Sequence, residues 1–281
     1  VPLTWQTARF KIDLAARPQV MGIVNATPDS FSDGGHHAAA SQACAHCDRL
    51  LAEGADILDI GGESTRPGSK PPSLDVELER LLPVVQHAVT LGVPVSVDTS
   101  RPEVMAAALE AGADIINDVR ALQRPGALAA VAAHARVGVC LMHMQGEPAT
   151  MQQSPRYEDV VSEVAAFLDE RLRLAMDAGI AAERIVLDPG YGFGKSLEHN
   201  LTLFRAQAQL LALGRPLLVG WSRKGTLGQL TGRPVDQRMP ASVGAALAAV
   251  ARGARIVRVH DVAATVDALK VWNAAGLGVT T

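Results

Sequence analysis

Short apolar runs alternate along the chain with longer stretches in which apolar residues return every third or fourth position. The runs are "VMGIVN" (20–25), "ILDIGG" (57–62), "VSVDT" (95–99), "IINDV" (115–119), "VCLMHM" (139–144), "IVLDPG" (185–190), "LLVGWS" (217–222) and "IVRVHD" (256–261). Each has the length and β-branched content of a strand buried on both faces. Between them lie helical patterns such as "LDVELERLLPVVQHAVTLG" (74–92), "VMAAALEAG" (104–112) and "EDVVSEVAAFLDERLRLAMDAG" (158–179), each closed by glycine. Strands that alternate with helices pair in parallel through right-handed crossovers. The pattern predicts eight strands and eight helices, an α/β protein with the inventory of a TIM (β/α)8 barrel. An open doubly wound sheet is the alternative that this pattern leaves. No linker or low-complexity stretch divides the chain, so one domain is expected over 20–281. A short N-terminal extension, 1–19, contains "LTWQTARFKIDLA" and would close the barrel floor as a hairpin.

Polar residues recur at the C-terminal ends of the runs: Asn25, Asp59 and Glu63, Asp98, Asn117 and Asp118, His143, Asp188, Ser222 to Lys224, Arg258 and His260. In a barrel these ends surround one mouth. Strand alternation puts Arg258 and His260 on one face. Asp118 and Asp261 stand at strand-to-helix turns, where capping or pairing suffices to explain them. The others need partners, because a buried unpaired carboxylate costs several kcal/mol. Asp98, Asn117, Asp188 and Lys224 offer acceptors, an amide and a cation. Such a set suits a flat heterocycle with a 2-amino-4-oxo edge, with Met142 and Phe193 as apolar contacts. Arg66, Arg258 and His260, with Asn25 nearby, suit a phosphate or diphosphate. Asn25 also offers an oxygen to Mg²⁺, which binds through few protein atoms and keeps most of its waters. The stretches "NATPDSFSDGG" and "GESTRPGS" are long for βα loops and fit lids.

Composition narrows this picture. Hydrophobic residues make up 48% of the 281, enough for one large core, and the net charge of -3 argues against a nucleic-acid surface. The longest apolar stretch, "LAAVAAHARVGVCLM", is interrupted by His134 and Arg136, so no membrane span is expected, and the start shows no signal-peptide core. Three cysteines imply no disulfide framework and fit a cytoplasmic location. Cys44 and Cys47 in "CAHC", near His36, His37 and His46, fall on a helical pattern and read as packing residues more than as a metal or redox pair. "LDPGYGFGKS" resembles a phosphate loop through Gly194-Lys195-Ser196. The glycine that such a loop needs five positions before the triplet is Pro189 here, so the nucleotide reading fails.

Eight longer motifs carry a resemblance. "MGIVNATPDSFSDGG" (21–35), "LDIGGESTRPGS" (58–69), "DTSRPEVM" (98–105), "INDVRAL" (116–122), "MHMQGEPATMQ" (142–152), "LDPGYGFGKSLEHNL" (187–201), "GWSRKGTLGQLTG" (220–232) and "RVHDVAAT" (258–265) resemble, in order, those of bacterial dihydropteroate synthases. The resemblance implies a TIM barrel that condenses 6-hydroxymethyl-7,8-dihydropterin diphosphate with p-aminobenzoate, giving 7,8-dihydropteroate and pyrophosphate, with Mg²⁺ required. It assigns the pterin to Asp98, Asn117, Met142, Asp188, Lys224 and Arg258. The diphosphate falls to Asn25, Arg66, Arg258 and His260, with Asn25 on the Mg²⁺. The p-aminobenzoate falls to Phe31, Thr65, Arg66, Pro67, Phe193, Ser222 and Lys224. A dissociative reaction follows, with Asp98, Lys224 and Arg66 in catalytic roles and Asp33 as an assisting acid. The family is commonly dimeric, so a homodimer is expected, with its small-molecule substrates as the other partners. Ala26 stands where the family often has valine, and Gly225 where it often has serine; neither swap removes a chemical group. The rival readings are a methyltransferase acting on methyltetrahydrofolate, a pterin binder without turnover, and a nucleotide hydrolase.

Overall fold

The eight apolar runs are the eight strands of one closed parallel barrel. This computed structural model describes residues 3–26, 35–62, 72–148 and 150–278, leaving out the side chains of 35–38. Two strands precede the barrel: β1 (Thr4–Gln6) and β2 (Lys11–Asp13), an antiparallel hairpin. The barrel follows as β3 (Gln19–Asn25), β4 (Ile57–Gly61), β5 (Val95–Asp98), β6 (Ile115–Asp118), β7 (Gly138–Met142), β8 (Ile185–Asp188), β9 (Leu217–Val219) and β10 (Ala254–Val259). It closes where β10 pairs with both β3 and β9.

Helices return the chain between strands: α1 (Gly35–Ala52), α2 (Leu74–Val89), α3 (Pro102–Glu110), α4 (Ala127–Ala132), α5 (Val160–Asp177), α6 (Leu197–Arg205), α7 (Gly225–Thr231), α8 (Met239–Ala251) and α9 (Val262–Ala274). Among the described residues there are nine where the pattern predicts eight, because two helices separate β9 from β10. Gly232 ends α7 in the left-handed conformation (φ 69°), Pro234 follows, and Pro240 lies in the first turn of α8. Proline cannot continue a helix but fits its first turn, so the segment splits there.

Strand alternation sorts the core into two parts. Outward residues such as Val24, Leu58, Ile60, Val97, Ile116, Leu141 and Val257 pack against the helices. Inward residues near the strand starts, Met21, Ile57, Ile115, Cys140, Val186, Leu218 and Ile256, fill the barrel and meet Trp5, Ile12 and Leu14 of the hairpin segment. Trp5 is wholly buried, and its indole N–H donates to the Arg184 carbonyl at 2.9 Å. Cys47 on α1 is buried in the outer core, and Cys44 packs at its edge. His46 turns to the Ile23 carbonyl and to Arg49, so the "CAHC" residues serve packing and local hydrogen bonds.

Removing a fully buried indole costs about 3–5 kcal/mol through lost transfer energy and the cavity left behind. Trp5→Ala should lower unfolding stability in denaturant by that amount. A loss below about 1 kcal/mol would mean that the hairpin is not cooperatively joined to the barrel.

Candidate active site

Above the apolar filling, the inward positions of most strands turn polar, β7 with Met142 being an exception. On β4, Ile57 is followed two residues later by Asp59; on β5, Ser96 by Asp98; on β6, Ile115 by Asn117; on β7, Cys140 by Met142; on β8, Val186 by Asp188; and on β10, Ile256 by Arg258. The same alternation keeps Asp118, His143 and Asp261 off the mouth. Asp118 accepts from the Ser100 hydroxyl (2.5 Å) and from the N–H groups of Arg120 (2.9 Å) and Leu122 (2.8 Å). Asp261 makes no side-chain cap on α9 and pairs with Arg223 instead.

Arg258 organises the mouth. Its Nε donates to Asp59 at 2.6 Å and its Nη2 to Asp98 at 2.8 Å, and Asn117 donates to the same Asp59 oxygen at 3.3 Å. Burial opposes the cation, but the two carboxylates more than offset it, and the Arg258 pKa stands above its ordinary value. Sequence reasoning grouped Arg258 with the basic residues, whereas the fold ties it to the acids. Asp59 stood among the strand-end polar residues without a role. The signal was present: a single acid interrupts "ILDIGG" on the inward parity.

Asp188 lies beside this network, buried, with its Oδ1 accepting the Gly190 N–H at 2.7 Å. Burial pushes its carboxyl upward in pKa, while Lys224, the Gly190 N–H, Lys195 and Arg258 pull it back. Lys224 is half-buried at the start of α7, donates to the Tyr191 carbonyl and stands 4.7 Å above the Phe193 ring. Its burial lowers the ammonium to about 8, against the attraction of Asp188. His260 sits two residues after Arg258 on the same parity. Ser222 accepts its backbone N–H at 3.1 Å and pairs with its ring Nδ1 at 2.9 Å. The Ser222 hydroxyl thereby ties the chain leaving β9 to His260. Asn25, half-buried at the end of β3, registers beside Gly61. Asp98, Asn117, Met142, Asp188, Phe193, Ser222, Lys224, Arg258, His260 and Asn25 therefore share one end of the barrel. Phe31, Asp33, Glu63, Thr65, Arg66 and Pro67 lie outside the described residues.

The backbone between Ser222 and Lys224 reverses through Arg223, a non-glycine residue with φ 59°. That conformation costs roughly 1–3 kcal/mol and persists only where surroundings enforce it. Here the Arg223 N–H meets Ser242 Oγ at 2.9 Å, and its guanidinium grips Asp261 at 2.5 and 3.1 Å.

The phosphate-loop lookalike has a different use. Gly190 and Gly194 have φ of 66° and 61°, and a Cβ on them would lie 1.8 Å from the His143 carbonyl oxygen and 2.2 Å from that of Gln145. These glycines let the turn press against the chain leaving β7. Lys195 is 2% exposed and buried beneath the turn, so it offers nothing to a phosphate.

Fold and mouth together are those of a TIM-barrel enzyme that acts on a small polar ligand. The sequence profile described as "Pterin binding enzyme" matches residues 21–260. The dihydropteroate synthase of Neisseria meningitidis serogroup B is 56% identical over 279 residues, 97% of this chain and 98% of its own. A solved Xanthomonas albilineans dihydropteroate synthase with 4-aminobenzoic acid superposes with a TM-score of 0.92 at 52% identity, covering 98% of this chain and 99% of that one. The Burkholderia cenocepacia dihydropteroate synthase complexed with 7,8-dihydropteroate gives 0.88 at 51% identity, over 98% and 97% of the two chains. The chain belongs to the pterin-binding enzyme family, among its dihydropteroate synthases.

Gly190→Ala should displace the turn from the β7 exit, because backbone stands where the methyl would go. The variant is expected to lose at least about 2 kcal/mol, as left-handed strain and overpacking add. Equilibrium unfolding checks this, and an unchanged midpoint would show that the turn is free to move.

Proposed function

We propose that the protein joins 6-hydroxymethyl-7,8-dihydropterin diphosphate to p-aminobenzoate, giving 7,8-dihydropteroate and pyrophosphate for folate synthesis. The observation that carries this reading is the linked set at the mouth. Asp98 and Asp59 are joined through Arg258, Asn117 is joined through Asp59, and Asp188 and Lys224 stand beside them. Asp188 offers carboxylate oxygens to the amino edge of a pterin, and Lys224 offers N–H donors to its carbonyl or ring nitrogen. Asp98, Asn117 and Arg258 line the rest of the ring, with Met142 as its apolar contact.

The diphosphate is assigned to Asn25, Arg66, Arg258 and His260. Among the described residues no group of three or more His, Cys, Asp or Glu could hold a metal. A lone Asn25 oxygen suits Mg²⁺ held mostly by substrate phosphates and water. When bound, Mg²⁺ supplies charge neutralisation to the departing diphosphate. The methylene carbon left behind shares its positive charge with the pterin ring, and the Asp98 carboxylate stabilises it. The amine of p-aminobenzoate then attacks. Its ring is assigned to Phe31, Thr65, Pro67 and Phe193, and its carboxylate to Arg66, Ser222 and Lys224. Asp33 is the assisting acid.

A homodimer fits the apolar side chains left exposed around α7 to α9, Leu230 (52%), Val235 (55%), Met239 (42%) and Val271 (70%). A cytoplasmic site of action fits cysteines that are unpaired.

Turnover of both substrates with pyrophosphate release, lost on omitting Mg²⁺, is the direct test. No pyrophosphate release with both substrates and metal present would overturn the reading. Asp188→Ala should weaken pterin binding about 100-fold or more, since a charged double acceptor is lost. Calorimetry showing near-normal affinity would refute that role. The Lys224 ammonium titrates at about 8, so its charged form is lost as pH rises through that value. The profile of kcat/KM, which reports the free enzyme, should therefore fall on a basic limb near 8. A flat profile from pH 7 to about 9.5 would remove Lys224 from the chemistry.

A further inference from the structure

Lys195 has no part in the reaction set out above, yet it is 2% exposed near the mouth, where burial pushes the pKa of its amino group well below the usual lysine value and the Asp188 charge pulls it back up. Its Nζ meets the Gly190 carbonyl at 2.8 Å, the Phe193 carbonyl at 3.2 Å and the Nδ1 of His143 at 2.9 Å. In its protonated form the amine has three N–H donors, and each meets one acceptor here. No carboxylate among the described residues hydrogen-bonds to it. Methionine of the same length would fill that space without the cost of taking a cation out of water. A buried amine with three polar partners therefore needs a reason beyond packing.

What Lys195 holds supplies the reason. The two carbonyls are the ends of the turn 190–193, closed by the Phe193 N–H on the Gly190 carbonyl at 3.1 Å. The same turn gives its Gly190 N–H to Asp188, receives Lys224 on the Tyr191 carbonyl, and sets the Phe193 ring beneath the Lys224 ammonium. His143 anchors the other side. It is buried just past β7 with its ring edge-on to Phe167 at 5.0 Å, and burial with the Lys195 charge lowers its pKa to about 2. A neutral imidazole can accept from the ammonium.

We propose that Lys195 is a positioning residue: it pins the turn 190–193 to His143, so that Asp188, Phe193 and Lys224 meet one substrate in register. It touches no reacting atom. The lysine of the phosphate-loop lookalike is a strut behind the pterin and aminobenzoate pockets. This rests on the substrate roles given above to Asp188, Phe193 and Lys224.

The test compares the parent with Lys195→Met, and His143→Leu with His143→Asn, whose side chain restores an acceptor near the position of Nδ1. Lys195→Met should melt cooperatively but raise KM for both substrates and lower kcat/KM about 10- to 100-fold, as a displaced site does. It should also move the acid limb of the kcat/KM profile to higher pH, because the Lys195 charge helps hold down the Asp188 carboxyl. A variant that loses only melting temperature, with KM and the acid limb of its folded fraction unchanged, would overturn the proposal. If Lys195→Met does not fold, the His143 pair decides. Raised KM in His143→Leu with recovery in His143→Asn supports the strut; equal behaviour of the two overturns it. If the parent itself releases no pyrophosphate, the functional reading fails separately. Hydrogen exchange at the 190–194 amides then decides: faster exchange in Lys195→Met, or in His143→Leu relative to His143→Asn, supports the strut, and unchanged protection overturns it.

Discussion

A guanidinium held between two carboxylates inside the barrel fixes the geometry of the mouth. Arg258 on β10 reaches across to Asp59 on β4 and Asp98 on β5, and Asn117 on β6 joins through the shared Asp59 oxygen. Four strands are tied together at the height where the apolar filling ends. Breaking such a set by removing one member leaves an uncompensated buried charge, which is far costlier than losing a surface pair. The same constraint explains why the mouth can hold several charges close together. Its acids have cations at hand, Arg258 and Lys224, before any ligand arrives.

Beneath that layer the barrel is filled mainly by apolar side chains, with Ser96 of β5 buried among them. Met21, Ile57, Ile115, Val186, Leu218 and Ile256 fill it, and Trp5 of the hairpin covers the strand starts. Two residues farther along the same strands the inward positions become Ile23, Asp59, Asn117, Asp188, Gly220 and Arg258. A period of two therefore converts distance along a strand into height in the barrel, and height into chemistry. The packing below makes the positions above rigid, which is what a site of fixed hydrogen-bond geometry requires.

The segment after β8 shows how one stretch of chain serves both packing and site. Its glycines permit contact with the carbonyls of His143 and Gln145 at distances that a Cβ would forbid. Tyr191 stacks on Trp221 at 4.4 Å, and Tyr157 donates to the Gly194 carbonyl at 2.8 Å. Asn200 of α6 accepts the Gly192 N–H at 2.7 Å. The turn is thus held from below, behind and beside, and its free face carries Phe193.

Local pattern determined a great deal. Short continuous apolar runs, set between stretches of period three to four, placed every barrel strand, because a strand covered on both faces must be apolar whatever its partner. The polar residues at the strand ends were legible for the same reason, and so was the failure of "GYGFGKS" as a phosphate loop. The pairing of charges was not legible. Nothing local says that Arg258 faces Asp59 and Asp98, 199 and 160 residues away, or that Ser222 serves His260. Nor does the sequence show that Lys195 points inward to His143, or that Arg223 takes a left-handed backbone to bond Ser242 and Asp261. These follow from closure of the barrel, since only closure brings β10 beside β3 and across from β4 and β5, and the strength of a charge pair depends on a distance that the chain alone does not set.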